Sequence, residues 1–268
     1  MAKVKKTSAA GSPLKARNGV DPKQEEPAPA ETGVARLPPM YQSVQALSAN
    51  KHAGLRLSPS NGYANAAKMA SIIISAPEFP AAARDYPVVF SDHETEAMAY
   101  VVTGYADGMN IYVDNKGAWR KETYIPAYVR RYPFIFLQSD GGNRLTLAID
   151  QNGGWISESS GTLLYEADGT PSTTTKNGLA FCRAYKNELD RTRTLVRQIV
   201  DSGITIGRRA EITLPGGKKA TIAGFRIVDE KKLAALPDAT FLEMRKSGAL
   251  TLVYCHLMSM LTWKNMLA

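Results

Sequence analysis

The chain has 268 residues, 44% of them hydrophobic, with a net charge of +8 and two cysteines. That length can bury a full core without staples, and Cys182 with Cys255 makes neither a disulfide framework nor a zinc pattern, which points to a reducing, cytoplasmic compartment. No run reaches the ~18 apolar residues of a membrane-spanning helix, and the basic start MAKVKKTSAAGSPLK lacks the apolar core of a cleaved secretory signal, so only export by another route stays open.

Residues 1–40 are rich in Ala, Pro, Lys, Glu and Ser and are expected to form a disordered tail, because they have too little apolar surface to offset ordering entropy. A single folded domain is expected over 41–268. The tail holds seven Lys/Arg against four Asp/Glu, and the remaining positive charge is spread with no run of four basics. With no RNP-type aromatic signature beside it, this charge does not point to specific nucleic-acid binding. Short strands are expected around 44–47, 55–57 and 71–75, the last carrying the β-branched run SIIIS. Residues 61–70 read equally as a loop or one helical turn.

The next stretch is written twice. FPAAARDYPVVF at 79–90 returns as IPAYVRRYPFIF at 125–136, with six of twelve positions identical. Pro80 and Pro126 suit the first turn of a helix, and Pro87 and Pro133 end it, since a residue before proline avoids the α region. Each copy therefore reads as a helical turn, an extended tyrosine joint (Tyr86, Tyr132) and a buried strand. VDNKGAW at 113–119 resembles IDQNGGW at 149–155 in the same spirit, each a strand end, a glycine turn and a tryptophan. An alternative register pairs GMNIYV with GTLLYE. Residues 97–105 supply a further strand.

From Ser172 the period changes to that of a helix, with Leu179, Cys182, Leu189, Val196, Ile199 and Val200 on one face. Ser172 or Thr173 caps it and Gly203 stops it. A hairpin follows through Pro215-Gly216-Gly217, with Gly224 at a slip in the alternation that suggests a bulge. Asp229 caps a helix over 230–236, Asp238 caps another that ends at Gly248, and a last apolar helix covers about 249–265.

Catalytic signatures are scarce. His52, His93 and His256 have no partner at metal-ligand spacing, and His256 beside Cys255 cannot face it on a helix. DGGNR at 140–144 and LPGGKK at 214–219 lie between strands, as hairpin turns rather than phosphate cradles. Asp229-Glu230 begins a helix, where carboxylates complement the dipole. No metal or cofactor is implied. The repeated Arg-x-Tyr-Pro remains. Arg84 with Tyr86, and Arg130 with Tyr132, form either two ligand pockets or one cleft, with Trp119 and Trp155 as stacking surface, suited to a peptide or small anion. The plainer reading makes each arginine a helix closer and each tyrosine a plug in its joint.

The segments ALSANKHAGLRL, EFPAAARDYPVVF, NIYVDNKGAW, YIPAYVRRYPFIF, RLTLAID, LLYEADGTPS and AEITLPGGKKATIAGFRIVDEKKLAALPD, in that order, resemble the bacterial SapC family from about residue 40 onward. The resemblance implies a soluble bacterial protein, linked by the family name to surface layers, whose relatives sit near TonB-dependent receptor and tryptophan-halogenase genes. It carries over no catalytic residues.

The fold class expected is α+β: mostly antiparallel sheet with an internal duplication of a helical turn–strand unit, one long helix and a helical C-terminus. Three functions follow. The leading one is a non-enzymatic accessory or binding protein, taking a peptide or protein partner in a surface-layer or outer-membrane uptake system. The second is a peptide-acting enzyme or subunit in which Arg130 and Tyr132 meet Asp114 or Asp150. The third is a homo-oligomer joined through the 249–263 helix.

Overall fold

The computed structural model describes residues 37–58, 62–92, 97–139, 144–213, 217 and 219–267. Residues 1–36 of the tail expected over 1–40, His93, and the hairpin turns at 140–143 and 214–216 lie outside the described residues.

The elements follow the punctuation in the sequence. The N-terminal part contains β1 (Val44–Ala46), α1 (Ala49–His52), β2 (Arg56–Leu57), a 3₁₀ turn (Ala64–Ala66) and β3 (Ser71–Ile74). A second 3₁₀ turn (Ala76–Glu78) leads into α2 (Phe79–Asp85), β4 (Val88–Ser91) and β5 (Ala99–Val102). Then come α3 (Ala127–Arg130), β6 (Phe134–Ser139), β7 (Arg144–Asp150), β8 (Ile156–Ser157) and β9 (Thr162–Leu163). The C-terminal part is α4 (Thr173–Asp201), β10 (Thr205–Thr213), β11 (Lys219–Val228), α5 (Glu230–Ala234), α6 (Asp238–Ser247), α7 (Ala249–Ser259) and a final 3₁₀ stretch (Met260–Leu267). The chain is thus α+β, with one helix of 29 residues and a helical C-terminus.

Among the described residues the strand pairs are antiparallel and fall into three sheets, ordered β10-β11-β4-β5-β3, β1-β7-β6 and β8-β2-β9. β4 is buried over Val88, Val89 and Phe90, as its unbroken apolar run requires between two paired neighbours and covering helices. β10 and β11 alternate instead, placing Ile212, Ile222 and Phe225 inward and Arg208, Glu211 and Thr213 outward. Their register slips between Arg208 and Ala210, opposite Gly224, which takes φ 81°, so the bulge lies where the alternation broke.

The long helix starts on Ser172, whose hydroxyl accepts the Thr175 N–H at 3.3 Å. It buries Cys182, Tyr185, Leu195, Val196 and Ile199 against the sheets. It also buries Thr192, whose hydroxyl accepts the Ala76 N–H at 2.7 Å and donates to the Glu188 carbonyl. α7 lies across α2, α4, α6 and the strands β4 and β11. His256 of α7 enters the central sheet. Its Nδ1–H donates to the Val88 carbonyl at 2.7 Å and its Nε2 accepts the Val228 N–H at 3.0 Å. β4 and β11 pair only at Phe225↔Ser91 and Arg226↔Phe90, so the imidazole replaces ladder bonds where the strands diverge.

Three local expectations are corrected. Pro237, not Asp238, is the N-cap of α6, and Asp238 stands in its first turn, because proline supplies an extended residue ahead of the helix with no side-chain cap bond. The last helix is α-helical only to Ser259 and then tightens to 3₁₀, where Ser259 and Thr262 hydroxyls bond back to the carbonyls of His256 and Ser259. Tyr86 is extended as expected (φ −131°, ψ 149°). Tyr132 instead sits in a turn, closed by the Phe134 N–H on the Arg131 carbonyl at 2.9 Å, with a cis Tyr132–Pro133 bond.

Candidate functional site

The two Tyr-Pro units meet through one connecting segment, residues 122–127. Before the first unit, Ser75 and Glu78 form a capping box. The Ser75 N–H and hydroxyl each donate to Glu78 Oε2 at 2.7 Å. The other oxygen of the same carboxylate reaches the second unit, accepting the Ala127 N–H of α3 at 2.7 Å and the Tyr124 hydroxyl at 3.1 Å. Glu78 therefore caps two helix starts at once, and its buried charge is spread over four donors. At the far end of α2, Asp85 accepts the Tyr124 N–H at 2.7 Å and a two-pronged contact from Arg84 at 2.9 and 3.0 Å. Tyr124 is thus fixed by its amide to one carboxylate and by its hydroxyl to the other. Burial, followed by the Glu78 charge, pushes its phenol up to about 12.

The six predicted site residues divide by exposure. Tyr86 is fully buried. Its hydroxyl donates to the Tyr124 carbonyl and accepts Trp119 Nε1–H at 3.0 Å. Tyr132 is also buried and donates to Asp150 Oδ2 at 3.0 Å, while Trp155 packs edge-on against its ring with centroids 5.5 Å apart. Burial first, then the Asp150 charge, raises the Tyr132 pKa. Arg84 and Arg130 stay at the surface and reach the connecting segment from opposite ends. Arg84 Nη2 donates to the Glu122 carbonyl at 3.1 Å. Arg130 donates to the Ile125 carbonyl at 2.9 Å and the Tyr124 hydroxyl at 3.0 Å, and lies 5.6 Å over both the Tyr124 and Phe181 rings. In each unit the arginine is exposed and the tyrosine buried, because the arginine ends a helical turn, where a step of two residues is a rotation of about 200°.

The carboxylates named for a catalytic reading are both engaged. Asp150 is fully buried and also accepts the backbone N–H groups of Gln42, Ser43 and Asn152 at 2.8, 2.8 and 3.2 Å. Asp114 closes its own loop, accepting the N–H groups of Lys116 and Ala118 at 2.8 Å. Gly153, opposite Tyr132, has no room for a side chain: a Cβ there would lie 1.3 Å from the phenol oxygen. His52 is buried between Ser48 and Gln151, its Nδ1 3.0 Å from the Ser48 carbonyl. Among the described residues no cluster of three metal-ligating groups forms.

Sequence reasoning missed Arg131. It occupies the repeat position of Asp85 but carries the opposite charge. Its Cζ lies 4.5 Å over the ring of Tyr128, 4.9 Å over Tyr185 and 5.5 Å over Tyr41. Its Nε is shut off from solvent with no hydrogen-bond partner, as is the Tyr185 hydroxyl. Among the described residues, no carboxylate stands within ion-pair distance of it. Burial works against its charge, but the phenols of Tyr41, Tyr185 and Tyr128 outweigh that and raise its pKa. Burial in the same place pushes the Cys182 thiol up to about 11, which suppresses its nucleophilic form. The signal available in the sequence was the one charge reversal inside an otherwise matching pair.

A second feature lies on the opposite kind of surface. On α7 and the 3₁₀ stretch after it, Tyr254, Met258 and Leu261 are 48, 68 and 76% exposed, while Leu250, Leu252, Val253 and His256 face the core. Tyr254 and Leu257 also form one wall of an open groove of about 450 Å³, lined further by Leu233, Leu236, Phe241 and the carboxylate-bearing residues Glu230 and Asp238.

The SapC family model matches residues 47–266. The chain belongs to the SapC family. The SapC match takes in both Tyr-Pro units, the caged arginine and the exposed stripe of α7. No curated protein and no solved structure matches the chain. Among the described residues of this SapC-family chain, no helix is long and apolar enough to cross a membrane.

Proposed function

We propose that this SapC-family chain is a non-enzymatic accessory protein that acts by binding a protein or peptide partner in a bacterial surface-layer or outer-membrane uptake system. The observation that carries this reading is the stripe of Tyr254, Met258 and Leu261, held at 48, 68 and 76% exposure on a helix whose other faces are buried. Contiguous apolar surface of this kind is costly in water and marks interaction sites. The two units support the reading from the other side. Their carboxylates and phenols are consumed in holding helices and joints, as expected of a scaffold made by duplicating one module. Arg84 is taken up by Asp85, so of the two repeated arginines Arg130, which has no carboxylate against it among the described residues, is the surface cation this scaffold offers to a peptide carboxylate. Titration calorimetry of the purified chain against peptides from the proteins encoded beside its gene tests the proposal. Saturable heat supports it, and no heat at high peptide concentration with the protein still folded overturns it.

A further inference from the structure

Thr251, Tyr254, Met258 and Leu261 are exposed along the outer side of α7 and the start of its 3₁₀ extension, and the exposed Lys264 ends the row. Their spacing of three, four and three is that of the a and d positions of a helix seam, and it suits the ridges of a second helix rather than the alternate pockets of a strand. No ionised side chain interrupts that seam. Beside it, the groove between α5, α6 and α7 continues the apolar surface through Leu233, Leu236, Phe241 and Leu257.

The rim of the groove has one sign. Glu230 and Asp238 line it and no lysine or arginine does. Among the described residues, neither carboxylate has an ion-pair partner. Lys232, from the same short helix as Glu230, is turned away to the Gly203 carbonyl at 3.3 Å. Both acids stand in the first turns of α5 and α6, where they complement the helix dipoles yet remain charged towards solvent. On a chain of net charge +8 this is a local inversion. From it we infer that the α5–α7 groove is the docking site for an amphipathic helix of a partner protein, with an apolar seam flanked by lysine or arginine. This rests on the reading above that the chain works by binding a partner, and it names the partner's chemistry. A second copy of the chain fits less well. It would bring the same acidic rim, while its basic residues on these helices, Lys231 and Lys232 of α5, Arg245 and Lys246 of α6 and Lys264, lie outside the groove lining.

The test uses two fluorescent helical peptides of about three heptads, both with leucine at a and d, one with lysine and the other with glutamate at e and g. Fluorescence anisotropy against the full chain at low ionic strength is expected to show the lysine peptide binding at least about tenfold more tightly, with the gap closing as salt rises. Overall charge opposes that preference, so the preference reports the rim. The M258E/L261E double variant alters two highly exposed side chains. It is expected to keep the thermal melt and lose at least about tenfold in affinity. The E230Q/D238N variant is expected to abolish the lysine preference while retaining weak apolar binding. The inference is overturned if neither peptide binds, if both bind alike, or if M258E/L261E binds at full strength. It is also overturned if sedimentation shows a micromolar dimer that M258E dissolves, since the occupant is then a second copy. Should the calorimetric partner peptides bind wild type and M258E/L261E equally, the binding function stands and only this location falls.

Discussion

At the residue before the joint tyrosine, the first unit carries Asp85 and the second carries Arg131. Both residues lie at the end of a short helix, and both are followed by Tyr-Pro and a buried strand. Their surroundings differ in kind. Asp85 is a buried anion met by the Tyr124 amide and the Arg84 guanidinium, whereas Arg131 is a cation met by tyrosine rings and their phenols, with no carboxylate beside it among the described residues. The first arrangement is directional, so it fixes the path of the connecting segment. The second is non-directional and fills space between α3, α4 and the residues before β1. One sequence pattern therefore serves as a latch in one place and as packing in the other.

The largest effect expected is at the residue both units share. Glu78→Ala removes the acceptor for four donors and leaves the Ala127 and Ser75 amides unpaired. It is expected to cost about 4 kcal/mol, read as a fall in the urea midpoint. A loss below about 1 kcal/mol would mean that water replaces the carboxylate and that the units are not joined through it.

Acid is expected to act on the first unit through a group that the second lacks, because among the described residues its strand β4 is the one tied by a histidine. Burial pushes His256 down to about 4 from an ordinary 6.5, partly opposed by its bond to the Val88 carbonyl. Between those values the unfolded chain takes up a proton that the folded chain refuses. Stability is therefore complete above about pH 6.5 and falls as pH drops towards 4, by about 3 kcal/mol in total. Urea midpoints measured across that range give the slope. His256→Asn should lower the starting stability and flatten the dependence, and parallel slopes in the two proteins would assign the acid loss to other groups.

The latch-and-packing contrast itself is sharpened by a pair of variants. Asp85→Asn keeps the shape but puts an N–H₂ where a donor already points, and about 2 kcal/mol is expected to be lost. Arg131→Met exchanges a cation with no carboxylate beside it for an apolar side chain of similar reach, and the change is expected to stay within about 1 kcal/mol in either direction. Equal losses in the two variants would erase the distinction. At the smaller end stand the two phenols. Tyr86→Phe strands both Trp119 Nε1–H and the Tyr124 carbonyl, for about 2 kcal/mol. Tyr132→Phe leaves Asp150 with three backbone donors, for about 1 kcal/mol.

Elements whose signals are local were legible in the sequence. The prolines at 80, 87, 126 and 133, Ser172, Asp229 and the glycine at 224 each act on their own neighbours, and each marks a boundary, cap or bulge in the fold. Glu78 was not legible. It sits in an ordinary capping box, but its second job joins groups 46 and 49 residues away. Arg131 draws its rings from positions 41, 128 and 185, which share no spacing. The 249–263 stretch is apolar on nearly every side, so its periodicity could not tell which residues face out. That depends on where α2, α4 and α6 press against it. The site residues read from the repeat were chosen for identity between copies, and identity selected the parts that hold the joints.

The double duty of Glu78 also bears on how the chain can be divided. α3 obtains the acceptor for its first N–H from a residue that precedes α2, so no cut between residues 92 and 97 yields a C-terminal piece with that helix intact. Two fragments divided between β4 and β5 should remain associated when expressed together and separate only under denaturing conditions. Recombinant truncations beginning after that interval should give insoluble protein.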